Sequence, residues 1–87
     1  MVKHKKPLDN IKFIHDILPI KGTTRVVVVG HGGLIFCEID QDYRIEKKEF
    51  YLAGMKIKAI TQIDQSKFLI AEDFKQDQKP ELIVLDI

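Results

Sequence analysis

The stretch RVVVVGHGGLIFCEID, residues 25–40, reads as a β-hairpin. Val26, Val27, Val28 and Val29 are β-branched, and four in a row favour a pleated strand buried on both faces. The turn residues Gly30, His31, Gly32 and Gly33 follow, and their glycines tolerate the positive φ that a tight reversal needs. The return segment LIFCEID, residues 34–40, completes the pair.

Working outward, a polar Gln41-Asp42 turn leads into YRIEKKEFYL, residues 43–52. Tyr43 and Ile45 alternate on one face, Phe50 and Leu52 on the other, so the phase change predicts a bulge or a charged edge strand. A short helix over residues 45–52 competes. After Ala53-Gly54, residues 55–63 alternate with Met55, Ile57, Ala59 and Ile63 on one side. Asp64-Gln65-Ser66 is a turn cluster, residues 68–71 a strand core, residues 72–80 a polar loop, and residues 82–87 a final strand. The opening segment is the ambiguous one. Leu8, Ile11, Ile14 and Leu18 sit at helical spacing, with Asp9-Asn10 as a cap and Pro19 as a stop, so residues 8–18 alone make a slightly better helix than strand.

An internal repeat decides between them. IKFIHDI, residues 11–17, recurs as IKAITQI, residues 57–63, at an offset of 57 − 11 = 46. The same offset carries residues 36–40 onto residues 82–86, with aspartate closing both, and residues 26–29 pair with 68–71 four residues out of step. Loop lengths that vary around fixed strands are expected of a structural repeat. The expected fold is therefore all-β. It has a basic flexible tail at residues 1–10, a four-stranded unit at 11–52 and an incomplete second unit at 53–87. A small β-barrel, or an α+β fold if residues 8–18 are helical, is the alternative.

The pattern resembles a degenerate WD40-type β-propeller repeat over most of residues 11–87. Gly54-Met55 keeps the glycine of that family's glycine-histidine pair. Ile39-Asp40 and Leu85-Asp86 keep the aspartate of its tryptophan-aspartate pair. The resemblance implies blade geometry and a scaffold that binds proteins through loops and faces, although the family's aspartate-histidine network does not carry over. Fewer than two blades cannot close a ring, and propellers have about 4–8. The chain is thus expected to be part of a larger propeller, to self-associate, or to curl into a barrel.

Composition narrows the function classes. Of 87 residues, 45% are hydrophobic and 31% charged, which argues against wholesale disorder. Fourteen basic against thirteen acidic side chains give a net charge of +1, no reason to expect nucleic acid or an anionic membrane. Lys3, His4, Lys5 and Lys6 read as a solubilising tail. No signal peptide or membrane-spanning run is visible, and a cytoplasmic or otherwise intracellular location is expected. The single Cys37 excludes an internal disulfide.

No cofactor, metal or catalytic residue is expected. The Gly30-His31-Gly32-Gly33 loop lacks the lysine and helix of a phosphate cradle, and the only serine, Ser66, is not in a nucleophile elbow. Cys37 reads as a buried thiol beside Ile35 and Ile39. His4, His15 and His31 have unrelated spacings without paired cysteines, and His15 is expected to share a face with Phe13 and Ile17. Glu72, Asp73 and Asp77 read as a solvated loop rather than a cation site. Lys47, Lys48, Tyr51, Lys56 and Lys58 form a possible interaction edge, interleaved with Tyr43 and Phe50. Such an edge suits single-stranded nucleic acid, but lysines equally protect an edge strand against aggregation. The expected function is a protein-interaction or scaffold module whose partner, another protein or a second copy, completes the sheet. A nucleic-acid-binding small barrel is the alternative.

Overall fold

A computed structural model describes residues 1–73, 79 and 81–87. Among these residues seven strands follow one another: β1 (Phe13–Pro19), β2 (Arg25–His31), β3 (Gly33–Ile39), β4 (Ile45–Tyr51), β5 (Ile57–Asp64), β6 (Lys67–Glu72) and β7 (Leu82–Asp86). They form two antiparallel meanders, a four-stranded sheet ordered β1-β2-β3-β4 and a three-stranded sheet ordered β5-β6-β7. The sheets do not close into a barrel, which removes that alternative. No helix among the described residues is long and apolar enough to cross a membrane.

The valine run lies where its sequence requires. Val27 and Val29 are fully buried on the face toward the second sheet, and Val28 is buried on the opposite face. The helix considered for residues 8–18 does not form. Phe13–Pro19 is a strand instead, because it pairs along the edge of β2 from Phe13↔His31 to Pro19↔Val26. A pairing partner overrides the weak local preference for helix. Ile45–Tyr51 is likewise strand rather than helix. A bulge falls in it where the phase change predicts, since Ile35↔Phe50 is followed by Cys37↔Lys47.

One expected alternation is corrected. Ile57 and Ile60 point into the core, while Ala59 and Ile63 are exposed. Ile57 faces Glu72 and Ala59 faces Ala71, so Lys58 is an extra residue that shifts the phase of β5; Ile63 is extra near its far end.

The core lies between the sheets. Val27, Val29, Leu34 and Phe36 of the first meet Ile57, Ile60, Phe68 and Ile70 of the second, with Ile20 at the margin. Each such side chain contributes about 1.5–3 kcal/mol on full burial. Phe36 and Phe68 meet edge-to-face with ring centroids 5.6 Å apart. A smaller cluster, Ile11, Val28, Ile35 and Cys37, lies on the other face of the first sheet, under Leu8, Ile45 and Phe50.

The repeat offsets relate these faces. Moved back by 46 or 42 residues, Ile57, Phe68, Ile70 and Ile83 become Ile11, Val26, Val28 and Cys37. The first four belong to the inter-sheet core or pack on it, and their counterparts belong to the smaller cluster on the far side of the first sheet. By these sequence offsets the sheets join non-equivalent faces; the strand registers differ from the offsets by two residues, a shift that leaves the faces unchanged.

Candidate functional site

Two features stand out on this scaffold: a polar cluster where the sheets meet, and an uncovered apolar face. The polar cluster begins at the β2–β3 turn. Space around this turn is scarce. A Cβ on Gly30 would lie 1.8 Å from the Phe13 carbonyl oxygen, and one on Gly32 would lie 1.9 Å from that of Asn10. The missing side chains let residues 10–13 cross directly over the turn. Gly32 N–H donates to Met55 O at 3.0 Å, Gly54 N–H donates to Gly32 O at 2.8 Å, and His31 bridges to Lys56. The glycines thus make the turn a junction between the sheets.

His31 projects from this junction toward the second sheet. Its Nε2 is 2.9 Å from Asp73 Oδ2, and with the carboxylate ionised the ring N–H donates. Asp73 follows β6 and is anchored by its own N–H, which donates to Lys56 O at 2.8 Å. His15 comes from the bulge of β1, where Ile14↔Gly30 is followed by Asp16↔Val29. The extra residue lets His15 and Asp16 both reach the second sheet. Asp16 Oδ2 accepts from Ile60 N–H at 3.2 Å, and His15 Nε2 lies 3.9 Å from Asp73 Oδ2. Ile17 turns to the opposite face beside Val28. His15 therefore shares a side with Phe13 and not with Ile17, a correction due to the bulge.

The rings of His15 and His31 are 4.6 Å apart at their centroids, and Phe13 meets His31 edge-on at 5.4 Å. All three polar side chains are about one-quarter to one-third exposed. The hydrogen bond from His31 holds the Asp73 carboxyl below the usual carboxylate range. Partial desolvation opposes this, and the charge of Lys58 reinforces it. Sequence spacing hid the convergence: His15, His31 and Asp73 are brought together by a bulge, a turn and a strand end. Glu72 ends β6, and Asp77 lies outside the described residues.

The basic-aromatic set is dispersed. Lys47 and Lys48 lie on β4, where Lys47 reaches Asp9 at 4.0 Å and Lys48 reaches Glu46 at 3.2 Å. Lys56 and Lys58 are on the other sheet, at the start of β5. Tyr51 packs edge-to-face on Phe36, centroids 5.8 Å apart, so its ring belongs to the core rather than to an exposed stacking platform.

Cys37 is buried, and burial pushes its thiol pKa up despite the opposing charges of Lys47 and Lys6. A thiol-specific disulfide reagent should therefore react roughly 100-fold more slowly with the native chain than with the chain in denaturant. Equal rates would contradict this placement.

The uncovered face belongs to the three-stranded sheet. Ala59 and Thr61 of β5, Leu69 and Ala71 of β6, and Leu82 and Val84 of β7 share the side turned away from the core. Leu82 is 71% exposed and Val84 59%. Lys67 and Asp86 close one end of the face, 3.9 Å apart. Across the molecule, Ile14 and Ile17 are 54% and 55% exposed on the far side of the first sheet.

No protein-family model matches this chain, and neither a curated protein nor a solved structure does.

Proposed function

We propose that this protein is a non-catalytic interaction module of two propeller-like blades, and that its partner is a second copy stacked head to tail. The observation that carries the proposal is the repeat equivalence of the uncovered face. Its residues Ala59, Thr61, Leu69, Ala71, Leu82 and Val84 fall, by the sequence offsets of 46 and 42, on Phe13, His15, Val27, Val29, Phe36 and Glu38, which matches them by face though not by exact pairing register. In the first sheet, that face packs on the next sheet. In the second, it meets none among the described residues.

The composition of β7 supports the same reading. An antiparallel sheet with one wet face alternates apolar and polar residues, whereas LIVL is apolar on both sides. Repeat units need neighbours to bury their faces. The exposed Ile14–Ile17 face of one copy is, by the same equivalence, the surface that the second sheet of another copy would receive. Head-to-tail contacts of this kind close into rings or run on as filaments. With 4–8 blades in a propeller, a ring would hold roughly two to four chains.

Sedimentation velocity tests this. The wild type should assemble as concentration rises, and a variant carrying Leu82→Lys and Val84→Lys should remain a folded monomer. Both side chains are exposed, so the substitutions should change monomer stability by no more than about 0.5 kcal/mol each. A wild type that stays monomeric to roughly millimolar concentration would refute the proposal.

A further inference from the structure

We infer that His15, His31 and Asp73 form a binding site for a borderline divalent metal ion of the zinc class. One donor atom from each lies within 4.8 Å of the other two. The elements supplying them are independent: a bulge in β1, the β2–β3 turn, and the residue after β6. Two imidazoles and one carboxylate are a donor set suited to zinc and its neighbours rather than to magnesium or calcium.

The spacing fits. Zinc binds imidazole nitrogen and carboxylate oxygen at about 2.0–2.2 Å, which sets tetrahedral neighbours about 3.3 Å apart. His31 Nε2 and His15 Nε2 lie 2.9 and 3.9 Å from Asp73 Oδ2, on either side of that value. Shifts of about half an ångström in side chains that are partly exposed would equalise these two, and the two imidazole nitrogens, within 4.8 Å of each other, close to the same separation by a movement of up to about 1.5 Å. Three protein ligands, all partly exposed, leave the fourth tetrahedral position to water.

Binding replaces the His31–Asp73 hydrogen bond. The ring hydrogen moves from Nε2 to Nδ1, so a neutral imidazole offers its Nε2 lone pair without net proton release. The neighbouring Lys58 charge, which acts on Asp73, opposes the ion.

A purely structural His31–Asp73 tie would need no second imidazole, and this separates the two roles. The full chain, freed of any affinity tag and residual metal, is titrated with Zn²⁺ by calorimetry. One ion per chain should bind saturably, His15→Ala and Asp73→Asn should each weaken binding by about 10–100-fold, and His4→Ala should not. Circular dichroism confirms that the variants are folded. Substituting His15 leaves the His31–Asp73 pair in place, which keeps the test decisive if Asp73→Asn loosens the fold. Co²⁺ should give the visible bands of a four-coordinate site in the wild type and lose them in His15→Ala. Absence of saturable binding, binding indifferent to His15→Ala, or binding lost with His4→Ala would overturn the assignment.

Discussion

Gly30→Ala is expected to cost about 4 kcal/mol and to lower the melting temperature by roughly 15–30 °C, as read by circular dichroism. An alanine Cβ at this position would stand 1.8 Å from the Phe13 carbonyl oxygen and 2.9 Å from Ile11 Cγ2. Neither the carbonyl nor its strand can yield without opening the β1–β2 ladder. Gly32→Ala should be equally severe. Its Cβ would meet Asn10 O at 1.9 Å, and its φ of +123° is one that side-chain-bearing residues rarely adopt. Gly22 supplies the control. It also has positive φ, +75°, but nothing lies within 4 Å of its would-be Cβ. Gly22→Ala should therefore cost only about 1–2 kcal/mol, the left-handed penalty alone. Similar losses at Gly22 and Gly32 would mean that backbone conformation, not close approach, matters at Gly32.

Phe68→Ala should destabilise the protein by about 3–5 kcal/mol through the cavity it leaves. Phe68 is almost wholly buried at the centre of the inter-sheet core and meets Phe36 edge-to-face. That aromatic pairing adds about 0.5–1.5 kcal/mol to burial alone. Because both sheets draw on the same cluster, the variant should still melt in one transition at a lower temperature. Loss of the second sheet alone, with the first intact, would show that the sheets fold separately. Val84→Ala, on the uncovered face, should leave the melting of the monomer nearly unchanged.

The hairpin was legible in the sequence because β-branching and glycine act locally: four valines need a pleated environment, and the turn needs residues without Cβ. The bulge in β4 showed itself through the phase change between Ile45 and Phe50, but the match of residues 26–29 to 68–71 is two residues out of the structural register: Ile60 pairs with Ile70, whereas Ile14, 46 residues earlier, pairs with Gly30 rather than Val28. The segment at residues 8–18 was not legible, because its apolar spacing fits helix and strand alike and only the β2 edge decides. The phase of β5 and the side taken by His15 share one cause. A single extra residue, Lys58 in one strand and His15 in the other, reverses which side chains face the core. Nothing in the composition marks such an insertion. The polar cluster was hidden for that reason and because Asp73 reaches it only through the packing of one sheet on the other.

Head-to-tail stacking is the central claim, and mixing two broken surfaces tests it most directly. One variant carries Leu82→Lys and Val84→Lys on the outer face of the second sheet. The other carries Ile14→Lys and Ile17→Lys on the outer face of the first. Each alone should sediment as a monomer, because each lacks one half of the contact. Mixed in equal amounts they should form a one-to-one complex through the two intact faces, and no larger species. An assembly that joins like faces predicts the opposite: one of the two variants would associate by itself as the wild type does, and mixing would produce no new complex.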